Sequence, residues 1–333
     1  MSRPLVSVIL PVFNRPVELR AAVACVEAQS YTNWEILIVD DGSTDETARV
    51  AVELATNQPD RIRVLQRANG GPGAARETGR LAARGDLLQY LDSDDWLAPE
   101  KLALQVEALE RRPECGIAYG RCRETGPDGV ALAHPERPSD RPLETMFPAF
   151  VEKRLWNTVV PLYRRELSDR AGAWLPLWQE EDWEYDVRIA ALGPKLAFVD
   201  EVVAEHRQHG GARLSGTAHG DRERLGDRAE AHARILDHAL SAGVSRESPE
   251  MARFARELFL LARQCGLAGL TNRSQDLFHL ARRASTPDRA SRLDFRLYAF
   301  AARSIGWRAA ARLSRGWRSA TSPTKRGATT AAI

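Results

Sequence analysis

The chain has few of the residues that cross-link small or exported proteins. Its 333 residues include four cysteines, Cys25, Cys115, Cys122 and Cys265. No two of them have the C-x-x-C spacing of a zinc or thiol-redox site, so reduced thiols in a cytosolic protein are expected. No apolar run approaches the roughly 18 residues that span a bilayer. The N-terminal run Leu5–Leu10 stops at Pro11 and has no small-residue cleavage pattern behind it, so it does not read as a signal peptide. The net charge is only +2, which gives no global field for nucleic acid. Lysine is scarce in the first two hundred residues. A phosphotransferase that pairs a nucleophilic aspartate with a later lysine therefore fits poorly.

The first hundred residues alternate between two periods. Leu5–Leu10, Trp34–Val39, Ile62–Leu65 and Leu87–Leu91 are short apolar, β-branched-rich runs and read as buried strands. Between them lie helical patterns. One opens at Asn14 and Pro16 and runs to about Gln29. The next opens at Ser43 and Glu46, which have capping-box spacing. The third covers Pro72–Ala83, and another starts at Pro99 and runs to about Glu110. This rhythm predicts a mainly parallel sheet covered on both faces. Further on, Gly116–Gly120 reads as a strand, Pro127-Asp128-Gly129 as a turn and Glu181–Leu192 as a helix. Leu196–Val199 and Val202–Glu205 read as two short strands. From Asp221 the pattern is helical, with a boundary in the Gly-rich stretch 210–220. The segment from Ser319 reads as disordered.

In an open α/β sheet, ligands bind at the carboxyl ends of the strands, and the polar residues here cluster there. The first strand ends in Pro11-Val12-Phe13-Asn14 and the second in Asp40-Asp41-Gly42-Ser43. The fourth ends in Asp92-Ser93-Asp94-Asp95. Crowded carboxylates need a compensating cation. Oxygen ligands of this kind suit magnesium or manganese, which bind one or two carboxylates together with substrate phosphates. Each acidic cluster alone is equally well read as helix caps; two at neighbouring strand ends argue for a site. The loop Asn69–Arg76 lacks the last glycine of a dinucleotide fingerprint and the Gly-Lys-Ser/Thr of a P-loop. It is either a tight turn into a helix or a backbone that approaches a ligand closely.

These four segments, in this order and at about this spacing, resemble the family 2 glycosyltransferases over roughly residues 4–215. The resemblance implies an α/β, A-type glycosyltransferase (Rossmann-like) fold with a mixed, mainly parallel sheet. It also implies a nucleotide-sugar donor, inversion at the anomeric carbon, and Mn2+ or Mg2+. On that reading residues 1–215 form the catalytic domain, with a nucleotide-binding half at about 1–112 and an acceptor half at about 113–215. Residues 221–318 form a helical region, and 319–333 a tail.

The resemblance also implies residue roles. Asp41 would accept from the imide N–H of uracil, beside Asp40. Pro11 and Phe13 would border the base, with Asn14, Ser93 and Gly71 on the donor. Arg76 would lie near phosphate or sugar. Asp94 would be the metal ligand, with Asp92 near the ribose and sharing the metal. Asp95 either caps the turn before Trp96 or sits behind the ligands. Asp182 falls on the family's catalytic base, Arg188 on its companion arginine, and Glu181 would position the acceptor. In Glu205-His206-Arg207-Gln208-His209, His209 would complete the metal site and Arg207 neutralise phosphate. Trp156, Trp178 and Trp183 are candidates for stacking on an acceptor sugar, although single aromatics more often pack in a core. Two departures stand out: Glu77 follows Arg76 where the family often has Asn, and His206 stands where it often has an aromatic residue.

The implied function is sugar transfer to a glycan or lipid-linked glycan in bacterial surface polysaccharide or glycoconjugate synthesis, without a nucleic-acid partner. The alternatives are a nucleotide-sugar-binding relative without catalysis and a nucleotidyltransferase. The latter usually needs a basic glycine-rich loop after its first strand, which is missing here. Arginine dominates the C-terminal fifty residues, opposed only by Asp288 and Asp294. That segment is either a helical appendage with a solvated basic face or a peripheral attachment to the inner face of an anionic membrane.

Overall fold

The computed structural model describes residues 3–126, 130–132, 137–207 and 222–321. The chain opens with β1 (Val6–Val12), α1 (Pro16–Glu27), β2 (Trp34–Asp40), α2 (Thr47–Asn57), β3 (Ile62–Gln66), α3 (Gly71–Ala82) and β4 (Leu87–Tyr90). Next come β5 (Asp95–Leu97), α4 (Lys101–Arg111), β6 (Cys115–Thr125), α5 (Ala149–Glu152), β7 (Leu162–Arg164), α6 (Arg165–Ala171), α7 (Glu181–Ala190) and β8 (Lys195–Arg207). Six helices follow: α8 (Arg222–Ser241), α9 (Pro249–Leu267), α10 (Thr271–Ala284), α11 (Pro287–Ala290), α12 (Leu293–Ile305) and α13 (Trp307–Thr321).

The eight strands form one mixed sheet in the order β3-β2-β1-β4-β7-β6-β8-β5. β1 to β4 are mutually parallel, whereas β7 and β5 run antiparallel to their neighbours. All of β2 and nearly all of β1 are buried, as a parallel sheet flanked by helices requires. Register aligns the strand ends. Val12 pairs with Asp40 and Asp40 with Gln66, while the Leu91 amide donates to the Ile9 carbonyl at 2.9 Å. The loops that follow β1, β2, β3 and β4 therefore leave the same edge of the sheet.

Several local expectations change. Ser43 and Glu46 form no capping box; α2 starts at Thr47 with no side-chain cap. The Ser43 hydroxyl instead accepts from the Asn14 amide at 3.0 Å, so a tie between loops replaces the local cap. The two strands expected at 196–205 are one strand, β8, which pairs with β6 across register shifts near Gly120 and Arg121. The expected turn at 127–129 and the boundary at 210–220 lie outside the described residues.

The helical region packs on the sheet domain. One cluster of buried apolar residues runs from Val6 through Tyr185, Ile235 and Phe254 to Ala310. All four cysteines carry free thiols. Among the described residues no helix is long and apolar enough to cross a membrane.

Candidate active site

The site is built from the carboxyl ends of β1, β2 and β4, the loop before α3, and the start of α7. After β1 the chain turns sharply, with Asn14 left-handed at φ 51°. Asn14 then ties this turn to the β2 loop, because its side-chain oxygen accepts from the Thr44 amide at 2.8 Å. Pro11 is half-buried beside it, and Phe13 is 41% exposed. An exposed aromatic ring at a strand's carboxyl end suits a planar ligand.

Asp40 and Asp41 are both buried. Asp40 accepts from the Ser43 amide at 3.0 Å, closing its own turn. Asp41 accepts from the Gly71 amide at 2.8 Å and the Gly70 amide at 3.1 Å. The Arg67 guanidinium donates to it as well. Its carboxylate, which takes donors on both oxygens, therefore anchors the glycine loop. Gly71 has φ +87°, and a Cβ there would meet the Trp178 ring at 3.0 Å. Trp178 thus lies under the loop backbone.

Arg76 is 3% exposed and does not face solvent. It donates to Asp92 at 2.6 Å and to Glu181 at 2.7 Å, with its guanidinium over the Trp174 ring at 5.0 Å. This departs from the expected contact with phosphate or sugar: the arginine instead bridges the β4 loop and the head of α7. Burial works against its charge, but Asp92, Glu181 and Asp182 outweigh that and hold it protonated. Burial, reinforced by Asp182, pushes the Glu181 carboxyl up to about 7, although Arg76 opposes the shift.

Asp182 follows on the same turn of α7, partly exposed, with Arg154 against it at 2.5 Å. Arg154 also pairs with Asp186 at 2.6 Å. Asp186 is fully buried and accepts from the Trp156 indole at 3.0 Å and the Tyr163 hydroxyl at 2.7 Å. Burial raises its pKa, with Arg154 and Tyr163 opposing. Trp156 is therefore a core residue and offers no face to an acceptor. Trp183 is also structural: its indole donates to the Phe150 carbonyl at 2.7 Å, and its ring meets His232 and Phe254 edge-on. Arg188 grips Glu184 and the carbonyls of Ala171 and Ala173, and so braces α7.

Asp94 pairs with Arg15 at 2.5 Å, and Ser93 between the two aspartates is buried. Asp92 and Asp94 keep part of their surface exposed. They offer hard oxygen ligands, and among the described residues no group of three or more ligating side chains forms a closed cage. This set fits a magnesium- or manganese-type ion that takes its other ligands from phosphate and water. Asp95 lies behind them, fully buried, with the His206 ring nitrogen at 2.8 Å. Burial pushes it up to about 6, with His206 opposing and Asp92 and Asp94 adding to the shift. Pairing of β5 with β8 sets Asp95 opposite His206, and the Arg207 guanidinium covers the Trp96 ring at 4.2 Å. The segment Glu205-His206-Arg207 thus reaches the acidic motif, while His209 lies outside the described residues.

Sequence reasoning missed Arg15, Arg67 and Arg154, the cations that neutralise Asp94, Asp41 and Asp182. Arg15 and Arg67 each follow a strand end, which was a usable signal. Arg154 lies in an irregular stretch that offers none.

Residues 7–166 match glycosyl transferase family 2. Within those residues, a little under half of the chain, the chain is similar to that family. EpsH of Bacillus subtilis, described as a glycosyltransferase, is 28% identical over 218 residues, covering 63% of this chain and 62% of EpsH. A chondroitin synthase of Pasteurella multocida is 29% identical over 212 residues, 62% of this chain but 21% of that protein. The chain thus spans about three fifths of EpsH and far less of the synthase. Among solved structures, residues 1–349 of S. aureus TarS in complex with UDP-GlcNAc superpose with TM-score 0.70 at 19% identity, covering 95% of this chain and 92% of that one. That likeness extends beyond the family match into the C-terminal helices and establishes the A-type glycosyltransferase fold.

Proposed function

We propose that this chain is a family 2 glycosyltransferase that transfers a sugar from a UDP-sugar to a glycan hydroxyl, with inversion, in surface polysaccharide or glycoconjugate synthesis on the cytoplasmic side of the membrane. The observation that carries the reading is the Arg76 bridge. One guanidinium holds Asp92 of the acidic motif and Glu181 beside the base candidate Asp182, so donor and acceptor chemistry share one rigid frame. The UDP-GlcNAc complex of TarS supports a uridine donor, and the chondroitin synthase supports a polysaccharide product.

On this reading Phe13 and Pro11 border the base and Asp41 takes its imide N–H. The Asp182 carboxylate accepts the acceptor's hydroxyl proton as that oxygen attacks the anomeric carbon. The bond from that carbon to the diphosphate oxygen breaks, and its electron pair leaves with UDP. A divalent cation held by Asp94 and Asp92 would supply neutralisation of the diphosphate charge. Arg154 orients Asp182 from behind.

Calorimetric titration of UDP, with and without manganese, tests the donor side. Metal-dependent binding in the wild type and its loss in Asp94→Ala are expected; no nucleotide binding under any metal condition overturns the reading. Donor hydrolysis by wild type but not by Asp182→Asn separates an enzyme from a binding relative.

A further inference from the structure

α12 is apolar on two opposite stripes. Phe295, Tyr298 and Ala302 are buried against α9, α10 and α13. Half a turn away, Leu293, Leu297 and Phe300 follow one another at helical spacing, and Phe300 is 71% exposed. Ile305 at the bend into α13 and Leu313 on α13 are exposed as well. A helix whose second stripe is Leu-Leu-Phe in open solvent lacks a partner, because scattered single apolar residues are common but an aligned set is not.

The rim of this stripe is basic. Arg292, Arg296, Arg303, Arg308 and Arg312 are all exposed, and among the described residues none of them pairs with a carboxylate. Of the two acids in this segment, Asp294 is held through both oxygens by Arg289 at 2.7 Å, and Asp288 is exposed on α11. We propose that the α12–α13 face docks on an anionic lipid surface, with Leu293, Leu297 and Phe300 entering the interface and the arginines meeting lipid phosphates. The charge decides between occupants. A second copy in a twofold contact would bring two arginine-rich rims together with no acid on the face to offset them. The C-terminal residues of this chain carry Lys325 and Arg326 and no acid, so they do not complement the rim either. This inference is independent of the sugar-transfer reading.

Sedimentation of the full chain with large vesicles tests it, comparing pure phosphatidylcholine with an equal mixture of phosphatidylcholine and phosphatidylglycerol. Binding to the mixed vesicles should exceed binding to the neutral ones by about tenfold or more and fall steeply with added salt. Leu297→Ser/Phe300→Ser and Arg296→Gln/Arg303→Gln should each lose about tenfold in partitioning. Both pairs are exposed, and an unchanged melting temperature with unchanged UDP binding would confirm that each variant is folded. Equal binding to both vesicle types, no binding, or wild-type binding by the serine variant overturns the proposal. So does a concentration-dependent dimer in ultracentrifugation that Leu297→Ser/Phe300→Ser abolishes, which would make a second copy the occupant.

Discussion

At the scale of single residues, the head of α7 separates two adjacent acids by environment. Glu181 is buried and bound by Arg76, whereas the Asp182 side chain is partly exposed. A base needs access to its substrate, so Asp182→Asn should lower kcat by about a hundredfold to ten-thousandfold with UDP affinity retained, as read by steady-state kinetics beside calorimetry. Glu181 makes a different prediction. Its carboxyl is raised to about 7 from 4.5, first by burial. A raised acid is stabilised in its neutral form, so this contribution is full below about pH 4.5 and is lost as pH rises through 7. Glu181→Gln, which keeps a partner for Arg76, should therefore gain stability relative to wild type between pH 5 and pH 8, by about 1–3 kcal/mol, in paired denaturant titrations. A pH-independent difference would mean that Glu181 stays ionised throughout. Arg76→Gln strips a buried cation from two carboxylates and should cost about 3–5 kcal/mol.

At the scale of elements, the loop into α3 is held from two sides. Asp41 accepts from its amides, and Gly73 lies so close to the α6–α7 connection that a Cβ there would stand 1.9 Å from the Leu175 carbonyl oxygen. Backbone cannot yield as a side-chain tip does. Gly73→Ala should destabilise the chain by about 1–3 kcal/mol and weaken UDP binding through Asp41, both measurable by melting and titration. The parallel part of the fold was legible because β1 to β4 are short apolar runs divided by helical periods, and the acidic loops follow those runs directly. β5 was not, because three residues that begin on the last acid of the motif carry no periodic pattern; only pairing with β8 makes Asp95–Leu97 a strand. The roles of Trp156 and Trp183 were not legible for a related reason. An isolated tryptophan has the same sequence appearance whether it faces a sugar or donates to Asp186 or the Phe150 carbonyl. The counter-cations follow the same logic, since Arg154 meets Asp182 across a sequence gap of 28 residues.

At the scale of the molecule, the helical region belongs to the site as well as to the surface. Glu180, left-handed at φ 61°, immediately precedes α7 and receives the Arg228 guanidinium of α8 at 2.8 Å. One turn on, Glu184 meets the His238 ring at 3.1 Å. The Trp178 amide, beneath the glycine loop, donates to Asp227 at 2.9 Å. α8 therefore touches both supports of the site, the helix that carries Asp182 and the floor of the loop. If these contacts aim Asp182, weakening them should impair chemistry more than binding. Arg228→Ala should lower kcat by about tenfold to a hundredfold, because small misplacements of a catalytic group are costly, while the UDP dissociation constant stays within about twofold. Stopped-time product assays beside calorimetry on the same preparation read both quantities. Parallel losses in kcat and UDP affinity would instead mean that α8 supports the fold as a whole. Unchanged kcat would mean that α7 holds its acids in place through Arg154 and Arg76 alone.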